Sequence, residues 1–166
     1  ALSDLVELKR QEAGFLAVSD EPYDALLDSF EPGMRAPHLH KLFDNIKLPL
    51  GELLSEIRQR PQIDDSFLRA NIPATQQLDW SHRILEKMGY DFQYGRQDLS
   101  SHPFMISMGP RDVRVTTMVD ENDVGFSMYS SIHEGGHALY ELGVPDQFPG
   151  MPAGDVCTLS IHESQS

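Results

Sequence analysis

Two adjacent glycines, Gly135 and Gly136, sit in the middle of SSIHEGGHALYELG, residues 130–143, a stretch that otherwise reads as helix. Each glycine costs a helix roughly 0.5–1 kcal/mol relative to alanine, so a segment that keeps both needs a reason at those positions. The reason predicted here is close approach: without side chains, the pair lets a neighbouring helix or strand come up against this one. Replacing Gly135 with Leu would test that directly. The helix is predicted over 123–142, with Val124, Met128, Ile132, Gly135, Leu139 and Leu142 at spacings of three and four forming a narrow apolar stripe.

On this helix His133 and His137 lie four residues apart. They therefore point about 40° apart around the axis, and their imidazoles can converge on one ion. The pair lies nearly opposite Ile132 on the wheel, where a histidine kept for core packing is not expected. Glu134 projects from a neighbouring direction, which suits a carboxylate that takes a proton from a water on the ion, the mechanics of H-E-x-x-H in metallopeptidases. The bland reading is a solvated face that happens to hold these three residues. A catalytic zinc site needs a third protein ligand. Tyr140 and Gly143 stand where the metzincin pattern requires glycine and histidine, which excludes that pattern. On spacing alone Glu163 is equally a ligand from a later helix and, with Ser160, half of a capping box.

Upstream, the chain is helical in pattern for its first ninety residues. Ser3 and Ser19 are predicted as N-caps, with Pro22 in the first turn of the second helix. A long helix is predicted from about Pro37 to Arg60, kinked or split at Pro49, which lacks the donor for the preceding turn. Another runs from Pro73 to a stop at Gly89. HPFMISMGPRDVRVTTMV then reads as a β-hairpin, its two runs separated by Gly109 and Pro110. In its second run Val113 and Val115 face a core, and Asp112, Arg114 and Thr116 face a polar cleft. The outline is one domain over 1–166: helical to about 95, a hairpin at 102–119, the histidine helix at 123–142, and a final helix starting at 158–166.

Composition narrows the partners. The net charge of −13, from 26 acidic and 13 basic residues, argues against nucleic acid and anionic membrane. Residues 101–166 hold only two basic side chains, Arg111 and Arg114, a balance that suits a bound divalent cation. No apolar run reaches membrane-spanning length and the first residues lack the layout of a secretory signal, so the default location is the cytoplasm. The single cysteine, Cys157, excludes an internal disulfide framework and reads as a small buried thiol.

HPF at 102–104, DVRVT at 112–116, HEGGH at 133–137 and HESQ at 162–165, in this order, resemble the carboxypeptidase Taq family of zinc-dependent carboxypeptidases. YDALLDSFEPGM and GYDF extend the resemblance over nearly the whole chain. It implies a mainly α, zincin-like helical fold with a small β-hairpin or short antiparallel sheet beside the active-site helix. It also implies a chain that is a fragment of a longer one, and commonly a homodimer. Glu163 becomes the third ligand beside His133 and His137, Glu134 the general base, and His102 and Arg114 neighbours of the substrate. The implied activity is release of C-terminal amino acids from peptides with one divalent ion, Zn²⁺ first, with Co²⁺ or Mn²⁺ also suited to these donors. Two rival readings stand beside it: a metalloendopeptidase, and a catalytically incomplete helical fragment with an empty or weak metal site.

Overall fold

A computed structural model describes residues 1–166 except Asp146, Pro149 and Cys157, so the expectation for the thiol falls outside the described residues. The chain divides into two compact units, one of Ala1–Ile63 with Thr158 and Leu159, the other of Asp64–Val156 with Ser160–Ser166.

The first unit is helical. Helix α1 spans Leu2–Leu16, α2 Pro22–Asp28 and α3 Ala36–Gln59. Neither serine caps as expected. Ser3 lies inside α1, where the Ala1 amino group reaches the Asp4 carboxylate at 2.8 Å. In α2 the cap is Glu21, because Pro22 holds the residue before it extended. The Glu21 carboxylate accepts from the Tyr23 amide at 3.2 Å, while Ser19 accepts from the Glu21 amide and donates to Asp24. Asp24 is buried, and its carboxylate also accepts from the Ala36 amide at 2.7 Å, tying the start of α3 to α2. Helix α3 runs unbroken through Pro49. Every residue from 41 to 60 is exposed, so the Asn45 carbonyl that loses its donor is left to water rather than forcing a break.

The second unit holds α4 at Ala74–Met88, β1 at Gln97–Leu99, β2 at Met105–Gly109, β3 at Asp112–Thr117, α5 at Val124–Leu142 and, from Ser160 on, α6 at Leu159–Ser164. Helix α4 begins after Pro73 and ends at Gly89, whose φ of 102° is the left-handed stop that glycine supplies. The hairpin β2–β3 pairs Met105 with Val115 and Ile106 with Arg114, with an irregularity between Ser107 and Gly109. Strand β1 adds in parallel on the other edge of β3, Gln97 opposite Val115, giving the order β1-β3-β2. Val113 and Val115 are fully buried and join Leu85, Tyr90 and Ala138 in the core, with Phe92, Met105, Leu139 and Leu142 against it. The Tyr90 hydroxyl donates to the Val113 carbonyl at 2.6 Å, and burial pushes its pKa up to about 12. Thr116 departs from the expected cleft face: it is buried, its Oγ1 accepting from Ser100 Oγ and from the Phe104 amide. The whole is a mainly helical fold with a small sheet, as the resemblance implied.

Helix α5 is rotated relative to the expected stripe. Ile132 is 39% exposed, and the buried positions are Val124, Gly125, Ser127, Ser131, Glu134, Gly135, Gly136, His137 and Ala138. The buried serines account for the difference, because each is paired. Ser127 Oγ donates to Gln77 Oε1 at 2.6 Å, Ser131 Oγ accepts from Gln97 Nε2 at 2.9 Å, and Gln97 Oε1 accepts from Ser81 Oγ. Gln77 Nε2 in turn donates to the Ile72 and Asp120 carbonyls. A satisfied polar layer thus joins α5 to α4 and β1 beside the apolar contacts of Leu85 and Ala138.

Candidate metal centre

Helix α5 starts at Asp123, whose carboxylate accepts from the Phe126 amide at 3.3 Å, and carries His133, Glu134 and His137 at its middle. Helix α6 brings Glu163. One donor atom from each of His133, His137 and Glu163 lies within 4.8 Å of the others, a grouping that stands out among the described residues. The two imidazoles meet edge to face, centroids 4.8 Å apart at 86°, and His137 Nε2 is 3.7 Å from Glu163 Oε2. His133 is exposed, His137 buried, and the Glu163 side chain 64% exposed, so the cluster is closed on the α5 side and open on the other.

The glycines show how α6 reaches this point. A Cβ on Gly136 would overlap the Gln165 carbonyl and come within 2.9 Å of Ser166 Cα, whereas one on Gly135 would stand 2.6 Å from Leu85 Cδ2 and 3.1 Å from Met88 Cε. Gly136 therefore admits the backbone two residues beyond Glu163, and Gly135 admits side chains of α4. Close approach occurs at both, but only Gly136 bears on the cluster.

Glu134 is buried beside His133, 7% exposed. Burial pushes its carboxyl above the ordinary range, against the pull of His133, His102 and a backbone hydrogen bond at Met105. That pull places His102, itself exposed, within electrostatic reach of Glu134. Burial depresses the His137 imidazole, with His162 adding to the effect and Glu163 opposing it. Arg114 is held elsewhere: its guanidinium donates to both Asp112 oxygens, at 2.7 and 2.6 Å, on the exposed face of β3.

Two further polar residues lie at the cluster, Glu141 and His162, the latter named above only as part of the HESQ motif. His162 is buried, with its Nδ1 2.6 Å from His137 Nδ1, and its Nε2 lies 3.3 Å from Glu141 Oε1. A signal for Glu141 existed, since it continues the spacing of His133 and His137 by four more residues. His162 stood within the HESQ motif, with nothing in the sequence to give it a role apart from Glu163.

Two imidazole nitrogens and one carboxylate oxygen form the donor set of a catalytic zinc centre, which keeps a further position for water. The residues present fit such an ion, with an open side at Glu163 and an acid at Glu134.

A family model for the carboxypeptidase Taq (M32) metallopeptidases matches residues 1–166. The chain is 45% identical over 149 residues to thermostable carboxypeptidase 1 of Thermus thermophilus, covering 88% of this chain and 29% of that protein. Against carboxypeptidase 1 of Bacillus subtilis the identity is 38% over 168 residues, 99% of this chain and 33% of the relative. The crystal structure of the M32 carboxypeptidase from Deinococcus radiodurans superposes with a TM-score of 0.93 at 36% identity, covering 99% of this chain and 33% of that one. The chain thus spans about a third of the length of these relatives. A match from first residue to last, with agreement in fold and in sequence together, leads to one conclusion: this chain belongs to the carboxypeptidase Taq (M32) metallopeptidase family.

Proposed function

We propose that this chain carries the metal centre of a carboxypeptidase that releases C-terminal amino acids from peptides. The observation that carries the reading is the convergence of His133, His137 and Glu163 donor atoms within 4.8 Å, with the buried acid Glu134 beside them. In it His133 and His137 hold a divalent ion from α5 and Glu163 completes the set from α6. Zn²⁺ is the first choice, and Co²⁺ or Mn²⁺ suit the same donors. When bound, such an ion supplies Lewis acidity, polarising the scissile carbonyl and acidifying water.

The remaining work belongs to side chains. Glu134, buried and raised in pKa, takes the proton of the attacking water on its carboxylate and returns it to the leaving amine nitrogen. His102, whose charge would act on Glu134, is the proposed neighbour of the substrate. Arg114 is the proposed partner of the substrate's terminal carboxylate, a role that requires exchange of its Asp112 partner. The setting that goes with this reading is cytoplasmic, with peptides rather than nucleic acid or membrane as partners, and a homodimer. No helix among the described residues is long and apolar enough to cross a membrane.

The protein should bind one equivalent of zinc and release the last residue of an N-blocked peptide, while leaving the same peptide intact when its C-terminus is amidated. Cleavage of the amidated peptide would indicate an endopeptidase. Zinc-loaded protein that cleaves neither, or protein that takes up no zinc, would overturn the reading.

A further inference from the structure

The contacts around His162 form a chain whose proton positions can be deduced from its far end. The Glu141 carboxylate can only accept a hydrogen bond, so His162 Nε2, 3.3 Å away, must be its donor. A neutral imidazole that carries its proton on Nε2 presents a lone pair on Nδ1. That atom lies 2.6 Å from His137 Nδ1, which must then donate. His137 Nε2, the nitrogen turned toward Glu163, is thereby left unprotonated. The relay is sheltered: His137 and His162 are each 8% exposed, their rings are 4.5 Å apart, and Tyr140 closes on His162 edge-on at 5.0 Å.

We propose that Glu141 and His162 are positioning residues that hold His137 as its Nδ1–H tautomer, leaving Nε2 as its donor atom. The inference rests on the reading of His133, His137 and Glu163 as the ligand set. Outer partners of this kind fix a ligating imidazole's tautomer and ring orientation, here through a second histidine between the carboxylate and the ligand. The arrangement also gives α5 a second tie to α6, since Glu141 and His137 stand one helical turn apart on α5 and both engage His162.

Long-range ¹H–¹⁵N spectra of the metal-free protein at about pH 8.5, two units above the ordinary histidine pKa, read the tautomers directly. The expected result is a proton on Nδ1 of His137 and on Nε2 of His162; a proton on Nε2 of His137, or on Nδ1 of His162, overturns the proposal. Zinc titration against a competing chelator provides the second measurement. His162→Leu keeps bulk and the backbone hydrogen bond that residue 162 offers His137 but removes the ring acceptor, and should weaken zinc binding about 10-fold. His162→Asn keeps an acceptor near the Nδ1 position and should retain most of the affinity. A packing role alone predicts the reverse order, and that order would sink the relay. If the unsubstituted protein bound no zinc, the ligand reading would fail while the tautomer spectrum still decided the relay.

Discussion

At Glu134 and Gly136 single atoms decide the outcome. On the proposed function Glu134→Gln preserves shape and removes the proposed proton acceptor, so zinc content should be unchanged while turnover falls by about 10²- to 10⁴-fold. Metal analysis paired with an assay for released amino acid checks both halves. Gly136→Ala tests the approach of α6. On propensity alone alanine would stabilise α5 by about 1 kcal/mol, but its Cβ would overlap the Gln165 carbonyl, which is backbone and cannot rotate away. The expected result is weaker zinc binding, on the order of tenfold as for other losses of outer support. A variant that is more stable and binds zinc as before would show that α6 has room to spare.

Among the elements, the helices were legible from their punctuation and the sheet was only half so. Pro73 and Gly89 bracket α4, and Asp123 and Gly143 bracket α5, because these residues act through local backbone preferences that sequence exposes. Strand β1 was missed because three residues, Gln97–Leu99, carry no readable alternation and pair in parallel with a strand 18 residues away. The rotation of α5 was missed for another reason. Serine counts as outward-facing in any periodicity reading, and only tertiary partners on α4 and β1 reveal that Ser127 and Ser131 are inside. Glu141 and His162 were overlooked likewise, since their meaning lies in each other. Gln77 is the hub of the buried layer, bonded to Ile72, Asp120 and Ser127. Gln77→Leu should therefore destabilise the second unit by at least about 2 kcal/mol, despite the added apolar surface, because buried partners lose their bonds. Urea denaturation measures it. In the first unit the Ala36 amide, above all, holds the Asp24 carboxyl below its usual range, with Ser19 and Arg35 assisting. A depressed folded pKa stabilises at pH above the unfolded value and is lost as pH falls through the folded one. Asp24→Asn should thus lower the melting temperature at pH 6, and the gap should narrow as the pH falls through the depressed folded pKa of the native carboxyl.

For the molecule as a whole, the four short motifs in order carried the family. The division at residues 63 and 64 falls between the helix predicted to end at Arg60 and the one predicted to begin at Pro73, where no change of composition marks a boundary. It makes a testable distinction. Zinc at about 100 times its dissociation constant adds roughly 2.7 kcal/mol to whatever folds around it. Hydrogen exchange should therefore slow throughout α4, α5 and the sheet on zinc addition and leave α1 to α3 unchanged, with a chelator reversing the effect.

The polar layer beneath α5 has a consequence for engineering. Greasy seams let a helix roll by a few degrees at small cost, since one methyl contact substitutes for another. Hydrogen bonds from Gln77 and Gln97 to Ser127 and Ser131 act instead like the teeth of a key, admitting one azimuth. Swapping the whole layer for leucines and valines could yield a hardier protein whose imidazoles no longer aim at a common point.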